Sequence, residues 1–451
     1  MFQAHAHESN RHIVYTLHGV QDTMAWLCEV VGREVVAIDS AKVQEYTASF
    51  TIEDELPDGV YKIVFNDTLF TDIIVTEEEI HLESRLPDIV GNMQVHESIE
   101  NRLLFGYWQY YFKLQDTLDA VIQRGRELYY ASQGQPSRAL DALQARADQL
   151  EQRKTDYIQE MKKAYPDRFA PRLIWSYQPP DYHQYLLQGG EPYENEQAFY
   201  RQHFFDRIDF SDPRMIHTEV LFVMVNDYLR SFSQPANSKN YIELTGTILE
   251  KAEAHPAVYQ FCLDLLIRNF EASIWESVFL YLVKEHYVHA PLANEALREL
   301  YSRRAEAIRR TSTGSKIPEI CGTQPTGDRH CLYDHLGKRT LVMIWSLGCE
   351  QCESMLEGVG NISREYAEKG LKVFSFALAE DRDSLAHAMS KYGIDWTNVS
   401  DYKGFTSEII DEFNISVTPV FFLLDEQGVI TDKPTNIPVI YANLVVRFRN
   451  H

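Results

Sequence analysis

The sequence of 451 residues predicts a multidomain protein with three structural classes in order. We expect a small all-β domain over residues 1–90, an α-helical domain over residues 91–312 and an α/β domain over residues 313–451. The spacing of apolar residues predicts this division, because a period of two gives way to helical spacing after the first domain. A short polar segment at residues 311–315 then precedes alternating strands and helices.

The first domain is predicted from short runs of β-branched and aromatic residues that are separated by turn formers such as Pro57, Asp58 and Gly59. This pattern favours a small antiparallel β-sandwich or barrel. The predicted strands cover residues 12–17, 34–38, 48–52, 60–65 and 70–75.

Helical spacing begins near Ser98, and a break at residues 134–137 predicts a hairpin of two long helices. Four later apolar stretches predict stacked helices over residues 218–232, 242–254, 257–269 and 275–287. A basic cluster at residues 303–310 fits the C-terminal end of a helix, where cations complement the dipole. The alternative is a docking patch for the acidic remainder of the chain.

Composition excludes several classes of protein. With 45% hydrophobic and 24% charged residues the chain is globular, and a net charge of -23 argues against nucleic acid or anionic lipid as a partner. No apolar run approaches the roughly 18 to 20 residues of a transmembrane helix. Ala4-His5-Ala6 fits the remnant of an export signal that is missing or truncated.

Two closely spaced cysteines follow a predicted buried strand. Residues 341–345 form a near-continuous apolar run, and Cys349 and Cys352 then open an amphipathic stretch. The partial positive charge of a helix N-terminus favours the thiolate, which is the form that attacks disulfides. We therefore predict that Cys349 is the nucleophile and that Cys352 is the more buried resolving thiol.

Thr418 and Pro419 lie at the start of a later apolar run of strand length. Proline lacks the N–H group that a central strand needs, so its presence at the start of this strand needs a structural explanation. A cis bond between the two residues would supply it, because the bend could bring backbone groups beside the sulfurs and offer a pairing edge to an extended partner chain.

These motifs resemble those of a known family. Residues 313–437 are similar to the thioredoxin fold, and more closely to its TlpA/ResA branch of extracytoplasmic thiol-disulfide oxidoreductases of the Bacteroidota type. The β-rich start and Ser98-Ile99-Glu100-Asn101 resemble accessory modules that are fused to such domains. The matching C-terminal motifs are Gly337-Lys338, Cys349-Glu350-Gln351-Cys352, Glu368-Lys369-Gly370-Leu371, Trp396 with Val399-Ser400-Asp401, and Thr418-Pro419.

The resemblance implies a reductase or isomerase of protein disulfides that works in the periplasm or cell envelope. Its partners would be disulfide-containing protein substrates and a thiol electron donor, and no metal or other cofactor would be required. Family members are often lipid-anchored, but this sequence shows no lipobox cysteine.

Three positions depart from the family pattern. Gly348 stands where the family usually has tryptophan, and Met343 and Met355 stand where thioredoxins or the ResA-like branch carry an acid. A general base for the resolving thiol is therefore not evident. Glu350 and Glu353 add negative charge near the thiols, which opposes thiolate formation.

The remaining cysteines have several interpretations. Cys321 and Cys331 flank a turn-rich segment at residues 324–328, where they can form a cross-strand disulfide, stay unpaired or exchange with the active pair. Zinc binding by the four C-terminal cysteines is the weakest hypothesis, because the first pair is spaced too widely for a usual zinc knuckle. Cys28 and Cys262 lie in apolar sequence and are predicted to be inert core thiols.

A different class of function stays open. The alternative is a non-enzymatic cell-envelope binding protein with a degenerate thioredoxin-like domain, in which the upstream modules bind a partner. Peroxidase-like reduction shares the fold but usually needs a lone cysteine among threonine, proline and arginine, and no such arrangement surrounds Cys349.

Overall fold

The computed structural model describes residues 11–52, 56–271 and 273–449. The chain folds into two compact units, Met1–Leu265 and Leu266–His451. The predicted fold class is confirmed, since β-sheets are followed by helices and then by an α/β region. The domain boundaries at residues 90 and 312 remain predictions, and Ala4-His5-Ala6 lies outside the described residues. Within the described ranges, no helix is both long and apolar enough to cross a bilayer.

Unit 1 begins with two four-stranded sheets that share an apolar core, in the orders β4-β1-β7-β8 and β3-β2-β5-β6. In β1 the side chains of Ile13, Tyr15 and Leu17 are fully buried and their neighbours are not, because successive side chains of a strand point to opposite faces. The strands are β1 (Arg11–His18), β2 (Met24–Val31), β3 (Glu34–Lys42), β4 (Thr47–Ile52), β5 (Gly59–Asn66), β6 (Leu69–Val75), β7 (Glu79–Arg85) and β8 (Gln94–Glu97).

The prediction of an antiparallel sandwich or barrel is wrong at one pair of strands. β1 pairs in parallel with β7, with Val14 opposite His81, although its other neighbour β4 is antiparallel. Turn signals in a sequence indicate how consecutive strands connect, and β1 and β7 are far apart in the chain. The strands predicted from the sequence do not include β2, β7 and β8. β2 is a nearly unbroken apolar run and therefore lacks the alternation of a half-buried strand, and β7 carries charged residues between its buried ones.

Helices form the rest of unit 1. The long helices α1 and α2 make the predicted hairpin, whose core holds Leu114, Leu118 and Leu150. Ser137 begins α2 by accepting the N–H of Leu140 on its hydroxyl oxygen, as an N-cap residue does. The helices are α1 (Ile99–Ala131), α2 (Arg138–Ala164), α3 (Phe169–Ser176), α4 (Tyr182–Leu187), α5 (Glu196–His203), α6 (Val220–Ser231), α7 (Ser238–Ala252) and α8 (Pro256–Phe270), and α8 extends across the division between the units.

The residues at the start of α1 connect it to both neighbouring layers. Ser98 caps the helix by accepting the N–H of Asn101 at 3.1 Å. The buried amide of Asn101 bonds both backbone groups of Ile74 in β6, at 2.9 and 2.7 Å. The buried carboxylate of Glu100 accepts the first two N–H groups of α3, at 2.9 and 2.7 Å. Polar residues at this helix start therefore satisfy buried backbone groups of a strand and of a second helix.

Replacing Asn101 should destabilise unit 1. In Asn101→Ala the N–H and C=O groups of Ile74 stay buried without partners, and we expect the free energy of unfolding to fall by about 2 to 3 kcal/mol. Urea denaturation measures this change. Gln123→Ala, at an exposed position of the same helix, is the matched control and should change stability by no more than about 0.5 kcal/mol. Equal losses in both variants would contradict the role of Asn101.

Unit 2 contains a five-stranded mixed sheet in the order β13-β12-β11-β14-β15, together with a separate β9-β10 hairpin. β11 is parallel to β12 and antiparallel to β14. The elements are α9 (Glu276–Tyr281), α10 (Glu295–Arg310), β9 (Cys321–Thr323), β10 (Arg329–Cys331), β11 (Arg339–Ser346), α11 (Glu350–Tyr366), β12 (Leu371–Leu378), α12 (Arg382–Tyr392), β13 (Thr397–Val399), α13 (Ile409–Glu412), β14 (Val420–Asp425), β15 (Ile430–Asp432) and α14 (Ile437–Arg449).

The central strand β11 explains the apolar run in the sequence. Met343 and Trp345 belong to the core on one face of the sheet, and Val342 and Ile344 belong to the core on the other face. A strand that is covered on both faces is apolar throughout rather than alternating. Because β14 is antiparallel to β11, with Val420 opposite Ile344, its first residues lie at the edge of the sheet where β11 ends.

Candidate functional site

Cys349 lies between the end of β11 and the start of α11. It is the N-cap residue of α11, and its sulfur lies 3.1 Å from the backbone nitrogen of Cys352, whose N–H group points to it. Gly348 turns the chain from strand to helix with φ of 74°, a backbone conformation that glycine adopts without steric cost. The sulfur is therefore held at the positive end of the helix dipole.

The two sulfurs differ in their access to solvent. Cys349 and Cys352 are joined as a disulfide, with 5.2 Å between their Cα atoms. Cys352 is fully buried in a cluster that includes Met343 and Leu356, whereas Cys349 is half-buried. An approaching molecule can therefore reach the sulfur of Cys349 and not that of Cys352.

The loop before β14 lies against the accessible sulfur. The carbonyl oxygen of Thr418 is 3.6 Å from Sγ of Cys349, and the Thr418–Pro419 peptide bond is cis. The hydroxyls of Thr418 and Ser346 are 2.8 Å apart, which joins this loop to the end of β11. Val417, the preceding residue, is 72% exposed. The structure thus brings the four residues singled out from the sequence to one edge of the sheet.

The two positions at which the family pattern predicts an acid are apolar here. Met343 is fully buried in the cluster that contains Cys352, and Met355 packs against the same cluster. Neither side chain can accept a proton from the thiol of Cys352. Glu353 is half-buried, and its carboxylate accepts a hydrogen bond from the hydroxyl of Tyr392.

A buried polar network joins β11, β12 and β13, and the sequence reasoning did not identify it. The amide oxygen of Asn398 accepts the indole N–H of Trp345 at 3.2 Å and the hydroxyl of Ser375 at 2.6 Å. The indole N–H of Trp396 donates to Ser375 at 2.8 Å. The available signal was a serine and an asparagine in otherwise apolar strands, but only the pairing of Ser375 with Asn398 shows that they meet.

Comparisons with known proteins concern mainly this region. Residues 313–433 match the AhpC/TSA family. The thioredoxin-like protein YneN of Bacillus subtilis is 26% identical over 138 residues, which are 30% of this chain and 77% of YneN. The thiol-disulfide oxidoreductase ResA of Geobacillus kaustophilus is 23% identical over 117 residues, which are 26% of this chain and 66% of ResA. The C-terminal region is thus similar to ResA and to thioredoxin-like proteins, and we refer to residues 313–433 as the ResA-like domain.

One solved structure aligns with more of the chain than these relatives do. A thioredoxin-like protein from Bacteroides caccae covers 60% of this chain and 98% of its own length, at 21% identity and a TM-score of 0.47. Of the two sequence relatives, ResA is named a thiol-disulfide oxidoreductase and YneN a thioredoxin-like protein.

The ResA-like domain carries a second disulfide. Cys321 in β9 is directly opposite Cys331 in β10, and the two are bonded, with 4.1 Å between their Cα atoms. The sequence left open whether these two cysteines are bonded, and the structure contains the cross-strand disulfide. Backbone hydrogen bonds of 2.8 and 3.2 Å between Thr323 and Ser400 attach this hairpin to the segment after β13. Among the described residues, no group of three or more candidate ligands is placed to hold a metal ion.

The other two cysteines are free and buried. Cys28 lies in β2 and Cys262 in α8. Burial raises the pKa of the Cys262 thiol to about 12 and also raises the pKa of Cys28. Both thiols therefore stay protonated near neutral pH, and a protonated thiol is a poor nucleophile.

These assignments predict a simple alkylation pattern. Iodoacetamide at pH 8 should label no cysteine of the folded, oxidised protein at an appreciable rate, because the free thiols have raised pKa values and are inaccessible. In denaturant without reductant, only Cys28 and Cys262 should be labelled, as peptide mass spectrometry would show. Rapid labelling of either thiol in the folded protein, or labelling of Cys321 or Cys331 in denaturant, would contradict the assignment.

Proposed function

We propose that this protein is an extracytoplasmic thiol-disulfide oxidoreductase, a reductase or isomerase that acts on protein disulfides through Cys349-Glu350-Gln351-Cys352. The observation that carries the proposal is the asymmetry of the sulfur pair. Cys349 is accessible at a helix N-terminus beside the carbonyl of Thr418, and its partner Cys352 is fully buried behind it. An attacking thiol needs access and thiolate character, whereas a resolving thiol needs only to reach the first sulfur.

In the proposed reaction the reduced enzyme transfers two electrons to a disulfide of a client protein. The thiolate of Cys349 attacks one sulfur of the client disulfide, the client S–S bond breaks, and the second client sulfur leaves as a thiolate that takes up a proton. The thiolate of Cys352 then attacks Sγ of Cys349, and the mixed disulfide breaks to release the second client thiol. The client is reduced to a dithiol, and the enzyme disulfide is reduced again by a thiol electron donor.

The chain around the pair has separate roles in this reaction. The dipole of α11 stabilises the Cys349 thiolate during attack and when it leaves. The backbone of Thr418 offers a carbonyl group to an extended client chain, and Pro419 presents no N–H donor next to it. The apolar surroundings of Cys352, which include Met343, keep bulk water and other thiols away from the resolving sulfur.

Gly348 leaves open space next to the first cysteine. Apart from Gly348 and its two neighbours in the chain, no heavy atom of the described residues lies within 4 Å of the place where a Cβ atom at this position would be. The flat indole that the family usually has here would shield the sulfur and contact clients. Without it, we expect client recognition to depend more on neighbouring surfaces of this chain.

We further propose that the protein works in the periplasm or cell envelope, on disulfide-containing proteins and with a thiol electron donor. Its Cys321–Cys331 disulfide fits an oxidising compartment, since such bonds are rare in the cytosol. The accessory role of the upstream modules and the Bacteroidota origin remain predictions.

Trapping of mixed disulfides tests the proposal. In Cys352→Ser the resolving step cannot occur, so the variant should accumulate covalent adducts with disulfide-bonded proteins through Cys349. Non-reducing electrophoresis followed by mass spectrometry detects them. Cys349→Ser should form none, and both variants should be made also in a background with Cys321→Ser and Cys331→Ser, so that the hairpin sulfurs cannot contribute.

If Cys352→Ser forms no adduct with any disulfide-bonded protein, catalysis is excluded. That result would favour a non-enzymatic cell-envelope binding protein with a degenerate thioredoxin-like domain. Intact partner binding by a variant that lacks both thiols would support the same alternative.

A further inference from the structure

A cleft lies between α10 and the segment that leads to the Thr418–Pro419 loop. Its volume is about 290 Å³, and both of its walls belong to unit 2. Leu300 and Arg303 of α10 form one wall, and Ile410, Ile415 and Ser416 form much of the other. The cleft is therefore bounded by a helix upstream of the ResA-like domain and by a segment of that domain.

The cleft is continuous along the chain with the accessible sulfur. Ser416, in its wall, is two residues before Thr418, whose carbonyl oxygen is 3.6 Å from Sγ of Cys349. Two residues of extended chain span at most about 7 Å. The exposed side chain of Val417 lies between these two residues in the sequence. A client chain that runs along this segment can reach both the sulfur and the cleft.

The helical wall is held in place by polar contacts within unit 2. The guanidinium of Arg304 donates to the side chain of Asn414 at 3.2 Å and to Glu271 at 2.8 Å. Arg310 forms an ion pair of 3.6 Å with Glu412 of α13. These contacts fix α10 beside the loop, so the cleft exists before a client binds and no binding energy is spent on forming it.

The lining combines an apolar floor with an arginine that has no ion-pair partner among the described residues. Leu300 is 38% exposed and Ile415 is 9% exposed, so an apolar side chain placed between them would lose contact with water. Arg303, Arg304 and Asp411 line the cleft, and Glu271 pairs with Arg304, so the lining is close to neutral in a chain whose net charge is -23. Arg303 is exposed and forms no ion pair with a described residue, which leaves its guanidinium free to face an acidic side chain.

We propose that this cleft is a specificity subsite for the client polypeptide. It takes an apolar side chain of an extended segment two or three positions from the attacked cysteine, with an acidic residue beside it that faces Arg303. The proposal rests on the proposed function and adds the chemistry of the preferred client. It also gives part of the basic cluster at residues 303–310 a role in recognition, in addition to its place at the end of α10.

Short disulfide-bonded peptides test the subsite. One peptide carries leucine and aspartate at these positions relative to a cysteine, a second carries leucine and lysine, and a third carries serine and aspartate. Each peptide is made in two versions, one with the two varied residues before the cysteine and one with them after it. The two versions cover both directions in which the client chain can bind. The measured quantity is the ratio of kcat/KM values between two peptides, so a general loss of activity in a variant cancels.

Arg303→Glu should lower the preference for the aspartate over the lysine peptide by about tenfold, because it exchanges an attraction for a repulsion. Leu300→Ser should lower the preference for leucine over serine by roughly threefold to tenfold. Arg309→Glu is the matched control. Arg309 is on the same helix, is paired with Glu306 and does not line the cleft, so its reversal should leave both ratios unchanged.

Two results would overturn the subsite. Unchanged ratios in Arg303→Glu and Leu300→Ser would show that the cleft does not contact the client. Equal shifts in Arg303→Glu and Arg309→Glu would show a long-range charge effect without a local contact. Hydroxyethyl disulfide is uncharged and too small to span the sulfur and the cleft. If the wild-type protein reduces it, the proposed function holds even when the subsite has been overturned.

Discussion

The placement of one sulfur at the edge of a buried sheet is the constraint on which the other features of the site depend. β11 is covered on both faces, so its end is rigid, and Cys349 follows it at the N-terminus of α11. Because β14 is antiparallel to β11, the loop with Thr418 and Pro419 must arrive at the same edge. The fold thereby places the start of a helix, the sulfur of Cys349 and the carbonyl of Thr418 within one small volume.

The supports of this edge differ from those that the family pattern suggests. Apolar side chains at Met343 and Met355 surround the buried sulfur, and the polar groups are instead concentrated between the strands. There Asn398 and Ser375 connect the indoles of two tryptophans across β11, β12 and β13. A hydrogen-bonded network in a low-dielectric interior resists rearrangement, which keeps the strand ends aligned. The network adds rigidity to the site, and the side chains of Met343 and Met355 leave the surroundings of Cys352 apolar.

Features that depend on local patterns could be predicted from the sequence. The strand before Cys349, the helix that begins after it and the turn before α2 follow from apolar spacing and from capping or turn residues within a few positions. The parallel pairing of β1 with β7 could not be predicted, because it joins segments that are separated by most of the sandwich. The Asn398 network and the cleft beside α10 were missed for the same reason, since their members come from distant parts of the chain.

The most direct test is the redox equilibrium of the Cys349/Cys352 pair in the folded protein. The protein is incubated in a series of thiol redox buffers, and differential alkylation with mass spectrometry gives the reduced fraction of the pair at each potential. We predict one two-electron transition between about -270 mV, near thioredoxin, and about -120 mV, near the strongest oxidant of the thioredoxin-fold proteins. A pair that remains oxidised until the protein unfolds would contradict it.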